Sequence, residues 1–460
     1  MIILNKIILR DYQNTAIKNF INNNYIGLLE MATGTGKTIT SLSCSNFFYR
    51  TKKSIFCVIV VPFQHLIPQW EEVLNNFGYK KIIKAFGNFK LYKDDLISTI
   101  DDYNYGLRNK VVIITTYNTA SKKKFIKNIK NVKENLFGIF DECHYSGTKI
   151  YRNVLLNNYT GKLGLSATPL RWFDKEGTYI IKNYFEKIIF KFSLDEAIKK
   201  DYLTNYEYNP VLVNLTENEE IKYIQLSNAI RNLYLHIKIE ENIKLEEELK
   251  LLLIKRSDLL AKAKNKIDIL INLLKKEKDL SHTIVYCSKN QTKEIVRKIS
   301  QLGIKTHEFI YTVSKNDREK ILNLFVKGKI QILVAIKCLD EGVDIPSTKR
   351  AYILASTSNP KEFIQRRGRI LRKSNNKIFS TIYDFITLPN PDFMKTEYSK
   401  YNKKILCKEM PRFLEFSNLS INKFEARSIM KGTLKKLNLS YLLYENPENI
   451  HLKEENNEKS

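Results

Sequence analysis

A glycine-rich stretch near the N-terminus decides the fold, and it reads Glu30-Met31-Ala32-Thr33-Gly34-Thr35-Gly36-Lys37-Thr38. It follows the apolar run 26–29 and precedes a helical-looking segment over 39–48, which is the order strand, turn, helix. Such a turn directs several backbone N–H groups and a helix N-terminus at one point, and this arrangement binds anions. Lys37 can place its charge on the β- and γ-phosphates of a nucleotide, and the Thr38 hydroxyl can ligate Mg²⁺. The stretch therefore predicts nucleotide binding, although Met31 stands where the usual G-x-x-x-x-G-K-[ST] pattern has its first glycine.

Composition sets broad limits on the class of protein. The chain has 460 residues, of which 43% are hydrophobic, so it can form two or three domains with full cores. Its net charge of +27 favours a polyanionic partner, most simply nucleic acid, although lysine-rich composition alone can supply part of the excess. No apolar run reaches the roughly 20 residues of a membrane helix, and the N-terminus lacks a signal layout. We expect a cytoplasmic protein with no membrane partner.

Cysteine spacing indicates no metal or disulfide framework. The six cysteines form no C-x-x-C pair, so neither a zinc site nor a set of disulfides is predicted. The metal that the sequence does suggest is the Mg²⁺ that accompanies a nucleotide.

Further apolar runs extend the strand pattern. Buried strands are predicted over 54–62, 110–117, 136–140 and 162–166, and helical segments alternate with them. This alternation predicts a doubly wound α/β sheet, in which ligands lie at the carboxyl ends of the strands. Upstream of the glycine-rich stretch, the Gln13 amide can offer both a donor and an acceptor to an adenine ring.

Polar residues follow two of these predicted strands. Asp141 and Glu142 come after the strand 136–140; Asp141 can hold Mg²⁺, directly or through water, and Glu142 can orient or deprotonate an attacking water. The next strand ends in Ser166-Ala167-Thr168-Pro169, whose hydroxyls can couple His144 to a moving partner through hydrogen bonds.

These motifs, in this order, resemble those of the DExH-type superfamily 2 helicases. The resemblance rests on Arg10-Asp11-Tyr12-Gln13, on Ala32 to Thr38, on Asp141-Glu142-Cys143-His144 and on Ser166 to Pro169. It implies an α/β fold of two tandem RecA-like P-loop domains with parallel sheets that bind ATP and Mg²⁺.

The second half of the chain supplies the matching domain. Strands are predicted from 282, over 330–336 and over 350–355, and they are followed by Gln365-Arg366-Arg367-Gly368-Arg369-Ile370-Leu371-Arg372. The resemblance implies that Arg369 and Arg372 are arginine fingers, that Gln365 couples the domains and that Asp344 senses the nucleotide. The alternative interpretation of the arginine run is a patch that binds a phosphate backbone.

The predicted domain layout has five parts. An N-terminal RecA-like domain covers 1–195, a helical connector 196–279, a C-terminal RecA-like domain 280–390, a helical extension 391–445 and a disordered tail 446–460. The connector can be a solvated linker or an arm near nucleic acid. In the extension, a helix is predicted from an N-cap at Ser420 to a stop at Gly432.

The resemblance assigns roles residue by residue. The catalytic group is Lys37, Asp141, Glu142, Arg369 and Arg372. The ATP-binding group is Arg10, Gln13, Thr33, Gly34, Thr35, Gly36, Lys37, Thr38, Gly342 and Asp344. The coupling group is His144, Ser166, Ala167, Thr168 and Gln365, and the Mg²⁺ ligands are Thr38 and Asp141.

The function expected from the resemblance is an ATP-dependent DNA helicase or translocase. DNA is favoured because the motifs over 31–38, 141–144 and 339–346 look most like type III restriction motor subunits and excision-repair helicases. Two alternatives stay open: an RNA helicase, and a motor subunit that needs a partner nuclease or modification subunit.

Overall fold

The computed structural model describes residues 3–4, 7–169, 174–239, 243–310, 313–336, 345, 347–355, 360–374, 377–394, 396–447 and 449–450. The chain divides into two compact units, Met1–Tyr202 and Leu203–Ser460. None of the helices in these ranges combines the length and hydropathy that a bilayer span requires.

The first unit is built around a parallel sheet. The strands of this unit are β1 Ile3–Leu4, β2 Ile7–Ile8, β3 Ile26–Met31, β4 Ile55–Val61, β5 Ile82–Ala85, β6 Lys110–Thr116, β7 Leu136–Asp141, β8 Gly161–Ser166 and β9 Ile188–Phe192. Its helices are α1 Asp11–Asn22, α2 Lys37–Lys52, α3 Ile67–Asn76, α4 Lys93–Asn104, α5 Tyr117–Ala120, α6 Lys123–Ile129, α7 Lys175–Phe185 and α8 Leu194–Lys199. The four strands predicted over 54–62, 110–117, 136–140 and 162–166 are confirmed to within one residue at each end, and β3 extends two residues beyond its apolar run.

Strand order explains how distant motifs meet. The main sheet runs β5-β6-β4-β7-β8-β3-β9, and its strands pair in parallel. The strands β7, β8 and β3 are successive neighbours, so their carboxyl ends lie side by side at one edge. Every residue of the central strand β4 is buried, which matches its uninterrupted apolar sequence. The sheet thus brings together the three segments that the sequence marks as functional.

The second unit repeats the architecture. Its strands are β10 Asn205–Asn214, β11 Thr283–Tyr286, β12 Thr306–Phe309, β13 Ile332–Ala335, β14 Arg350–Ile353 and β15 Phe379–Leu388. Its helices are α9 Glu217–Ile239, α10 Ile243–Ala261, α11 Asn265–Lys276, α12 Thr292–Ser300, α13 Lys315–Val326, α14 Pro360–Ile370, α15 Ser399–Ser417 and α16 Lys423–Lys436. The described strands pair in parallel in the order β10-β15-β14-β11-β13-β12. Two parallel-sheet α/β units confirm the predicted fold class.

The segment 196–279, predicted to be a helical connector, contains a strand as well as helices. The segment contains β10, which pairs with β15 along its whole length, from Asn205 opposite Phe379 to Asn214 opposite Leu388. The strand buries tyrosines such as Tyr206, whose hydroxyl donates to a backbone carbonyl of α15 at 2.6 Å. The helical part of the segment consists of α9, α10 and α11, with a break between Ala261 and Asn265.

The helix α15 is integral to the second unit. Tyr401 and Ile405 of α15 pack into an apolar cluster with Leu215 and Tyr223. The segment after β15 therefore contributes to the core of that unit.

The boundaries predicted for the last long helix are wrong. Helix α16 starts at Lys423 and continues through Gly432, so neither the cap at Ser420 nor the stop at Gly432 is observed. The start is set instead by Asn422, whose side-chain amide pairs with the backbone of Tyr208 in β10. Most of the predicted tail, from 451 onward, lies outside the described residues.

Candidate active site

The glycine-rich loop between β3 and α2 forms a backbone cradle. Gly34 and Gly36 have positive φ angles of 88° and 84°, a conformation that favours glycine. A Cβ at Gly36 would also lie 2.8 Å from Nε2 of Gln13. The Thr35 hydroxyl donates to the Ala32 carbonyl at 2.7 Å and closes the turn. The cradle therefore exposes backbone at the start of α2, as an anion site requires.

A buried polar atom in this loop fits a ligand. The Thr33 hydroxyl is buried and makes no hydrogen bond to any residue in the described ranges. Leaving a buried hydroxyl unpartnered costs free energy, so a polar ligand at the loop would relieve that cost. The loop residues therefore suit an anionic, oxygen-rich group such as a triphosphate.

Lys37 faces the acidic pair across the site. Its Nζ lies 3.5 Å from Oε1 of Glu142, which follows β7 and has a left-handed backbone with φ of 47°. Burial alone would raise the pKa of Glu142, but Lys37, His144 and Ser166 together hold it below its ordinary value. Glu142 is therefore ionised at neutral pH.

The second carboxylate oxygen of Glu142 joins the predicted coupling residues. Oε2 accepts a hydrogen bond from the Ser166 hydroxyl at 3.2 Å and lies 3.5 Å from Nδ1 of His144. Nδ1 of His144 also lies 3.3 Å from Oγ of Ser166. The Thr168 N–H donates to the Ser166 hydroxyl at 3.1 Å. The end of β8 is thus connected to Glu142, the acidic residue that follows β7, and the neighbouring Ala167 is half-buried.

Asp141 is held by donors from two different segments. Its Oδ1 accepts the Glu142 N–H at 3.1 Å, and its Oδ2 accepts the indole N–H of Trp70 at 3.3 Å. The Tyr117 hydroxyl donates to the Asp141 carbonyl at 3.0 Å. Burial and the adjacent Glu142 charge raise the pKa of Asp141 above its ordinary value, against the opposing effect of Lys37.

Sequence reasoning missed Trp70 and Tyr117. Trp70 lies on the buried face of α3 with Ile67 and Leu74, and a buried indole usually finds an acceptor for its N–H group. That spacing could have marked Trp70 as a buried residue that needs a polar partner, but it does not identify the partner.

Gln13 is buried against the phosphate loop. Its Oε1 accepts the Arg10 N–H at 3.0 Å, and its Nε2 donates to the Thr40 hydroxyl at 3.1 Å. In this structure the amide braces the first turn of α2, and adenine contact by Gln13 stays a prediction.

Arg10 and Tyr12 form a second support beside the loop. The Arg10 guanidinium lies 4.7 Å from the centre of the Tyr202 ring and donates to the Tyr12 hydroxyl at 3.0 Å. That hydroxyl donates in turn to the Thr35 carbonyl at 2.5 Å. Tyr12 is therefore another contact of the phosphate loop that motif reasoning overlooked.

The arginine run of the second unit divides into two groups. Arg366 and Arg367 are buried, and Arg367 pairs with Glu415 at 2.5 Å. Arg369 and Arg372 are only half-buried. A continuous phosphate-binding patch of four arginines is therefore wrong, because two of them pack inside the unit.

Not every predicted site residue belongs to the first unit. Gln365, Arg369 and Arg372 belong to the second unit, and their action on a nucleotide stays a prediction. Gly342 and Asp344 lie outside the described residues. Thr38 occupies the second position of α2, half-buried beside Lys37.

Comparison with known proteins agrees with this geometry. Residues 6–171 match the family "Type III restriction enzyme, res subunit", and residues 265–374 match "Helicase conserved C-terminal domain". The DNA 3'-5' translocase XPB2 of Sulfurisphaera tokodaii is 27% identical over 85% of this chain and 84% of its own length. An archaeal protein described as a probable ATP-dependent RNA helicase, MJ0669 of Methanocaldococcus jannaschii, is 24% identical over 78% of this chain and 81% of its own.

A solved structure supports the fold. The type ISP restriction-modification enzyme LlaBIII bound to DNA superposes with a TM-score of 0.62 and 17% identity. The alignment covers 96% of this chain and 33% of that larger one. With both helicase families matched in order, and with a phosphate loop, an acidic pair and a Ser-Ala-Thr segment on neighbouring strands, the chain belongs to the ATP-dependent helicases of superfamily 2.

Proposed function

We propose that the chain is a DNA translocase or helicase driven by ATP hydrolysis. The observation that carries the proposal is the convergence of Lys37, Asp141 and Glu142 at the carboxyl edge of one sheet. In a hydrolase of this kind, the protein must hold the phosphates, balance their charge and place a water. These three side chains, together with the glycine cradle, provide groups for each task.

Each residue has a distinct part in hydrolysis. Gly34, Gly36 and Lys37 would hold the phosphates, and Thr38 with Asp141 would hold Mg²⁺, which neutralises charge on the phosphate oxygens when bound. Glu142 is ionised and can accept a proton from the attacking water. Its Lys37 partner can turn toward the phosphates when the nucleotide binds.

The hydrogen bonds of Glu142 offer a route to movement. Ser166 and His144 both contact Oε2, so a change at Glu142 would alter the end of β8. We propose that Gln365, Arg369 and Arg372 act on the nucleotide from the second unit. Closing and opening of the two units would then move a bound strand in steps.

An exposed lysine face supports a nucleic-acid track. Six lysines on and beside α6 are exposed and form no ion pair among the described residues: Lys122, Lys123, Lys124, Lys127, Lys130 and Lys133. We call this set the α6 lysine face. It follows β6 and α5 in the chain and leads into β7. Exposed cations so arranged would attract a phosphate backbone regardless of base sequence.

DNA is favoured over RNA by the similarity to a DNA translocase. The similarity to a protein described as an RNA helicase keeps the second candidate open. A motor that needs a partner nuclease or modification subunit is the third, because this chain covers only a third of a larger restriction-modification enzyme.

Displacement of a labelled third strand from a DNA triplex tests the proposal. A translocase displaces the strand when ATP is present, even when it does not separate the duplex. Displacement that depends on ATP and is lost in Glu142→Gln supports a DNA motor. Activity on RNA duplexes but not on the triplex would favour the RNA helicase, and displacement only with a co-purifying protein would favour the partner-dependent motor.

A further inference from the structure

Trp70 connects helix α3 to the acidic pair. It lies on the inward face of α3 with Ile67 and Leu74, and only 2% of its surface is exposed. A tryptophan in such a place usually serves as packing, and the ring of Trp70 does fill the space beneath α3. Its single polar atom, however, points to a carboxylate rather than to a backbone carbonyl.

The hydrogen bond fixes one oxygen of Asp141. Trp70 Nε1 donates to Oδ2 at 3.3 Å, while the Glu142 N–H donates to Oδ1 at 3.1 Å. Two donors on two different oxygens define the plane of the carboxylate. A carboxylate has about four acceptor positions, so both oxygens keep capacity for a further ligand.

We propose that Trp70 is a positioning residue, whose indole N–H orients Asp141 for Mg²⁺. The inference rests on the proposed function, in which Asp141 is a metal ligand. Groups that hydrogen-bond to metal ligands fix the ligand's orientation, and their loss typically lowers metal affinity about 10- to 100-fold. Because Trp70 belongs to α3 and Asp141 to β7, this contact also makes metal binding depend on the placement of α3.

Trp70→Phe separates the hydrogen bond from the packing. Phenylalanine keeps an aromatic ring but has no N–H group, whereas Ile67→Val trims the same helix face without reaching Asp141. Binding of a fluorescent ADP analogue would be titrated with Mg²⁺, and thermal unfolding would be followed in parallel. We expect Trp70→Phe to raise the Mg²⁺ concentration for half-saturation about 10-fold, and Ile67→Val to leave it unchanged.

A second measurement uses the indole itself. The chain has two tryptophans, Trp70 and Trp172, so Trp172→Phe leaves Trp70 as the sole tryptophan, which can be excited selectively above the absorption of tyrosine. Mg²⁺ added with ADP should change the emission of Trp70, and Asp141→Asn should remove the Mg²⁺-dependent part. This measurement keeps the native Trp70 and does not depend on how Trp70→Phe folds.

The outcomes distinguish this inference from the function on which it rests. The positioning role alone would be overturned by either of two results. One is an unchanged Mg²⁺ requirement in folded Trp70→Phe, and the other is a Trp70 emission that does not change with Mg²⁺ although ADP binds. If the unaltered protein showed no Mg²⁺-dependent nucleotide binding, both the proposed function and the role of Trp70 would fail.

Discussion

The Lys37 ammonium lies 3.5 Å from the Glu142 carboxylate, although 105 positions separate the two residues in the chain. The contact exists because β3 and β7 flank β8, so that the segments following them meet at one edge of the sheet. A lysine and a glutamate of opposite charge therefore lie close together where a phosphate would bind. A bound triphosphate would compete with Glu142 for the lysine, and this competition links nucleotide binding to the acidic residue.

Lys37→Ala should abolish ATP hydrolysis. The change removes the cation expected at the phosphates and also the attraction that lowers the pKa of Glu142. Lys52→Ala is the matched control, since Lys52 is an exposed lysine at the other end of the same helix. Steady-state phosphate release compares the two variants, and hydrolysis at the normal rate in Lys37→Ala would place the active site elsewhere.

Glu142→Gln should bind ATP and nucleic acid but turn over slowly. The amide keeps the shape of the side chain and can still contact Ser166, but it cannot accept a proton from water. Loss of a general base typically costs about 10²- to 10⁴-fold in rate. Binding of a labelled nucleotide and single-turnover hydrolysis measure the two steps separately. Loss of nucleotide binding would instead indicate that Glu142 serves the fold.

Substitution of Arg372 and of Arg367 in the second unit should affect different properties of the protein. Arg372→Ala should leave thermal stability and ATP affinity nearly unchanged but lower turnover about 10³-fold or more, as expected for an arginine finger. Arg367→Ala should instead unfold at a lower temperature, because it leaves a charge at Glu415 without its buried partner. Breaking a buried pair costs about 3–5 kcal/mol.

Calorimetry and ATPase assays on the same preparations test this division. Normal turnover in Arg372→Ala would remove that residue from the finger role. Unchanged stability in Arg367→Ala would contradict the structural role of its ion pair.

Reversing charge on the α6 lysine face should weaken nucleic-acid binding. For duplex DNA, removing one lysine–phosphate interaction should reduce the slope of log K against log salt by about 0.9. Lys123→Glu, Lys124→Glu and Lys127→Glu would be combined, and the control would place the same changes at the exposed residues 431, 435 and 436 of α16. Fluorescence anisotropy at several salt concentrations measures both. An equal weakening in the control would show that only total charge matters.

The first sheet could be predicted from sequence because its strands are unbroken apolar runs. The strand 55–61 is such a run, and the parallel order then places the residues after each strand at one edge. The order of the motifs predicted that Lys37, Asp141 and Glu142 belong to one site, and the structure brings all three together. Their individual roles in hydrolysis stay predictions.

Other features depend on contacts far apart in the chain. The strand β10 could not be recognised locally, because its stability comes from pairing with β15, which lies much later in the sequence. The support of Asp141 by Trp70 requires the indole of α3 to reach the end of β7, and no spacing in the sequence reports that contact. The burial of Arg366 and Arg367 likewise follows from tertiary packing, since the four arginines of the run look equivalent in sequence.

Steady-state ATPase activity of the purified chain is the most direct test of the account. It would be measured with no nucleic acid, with single-stranded DNA, with duplex DNA and with RNA, each at low and high salt. The account predicts strong stimulation by DNA that declines as salt rises, because the contacts are made to phosphates. Stimulation by RNA alone, or by none of the nucleic acids, would contradict a DNA motor that acts without a partner.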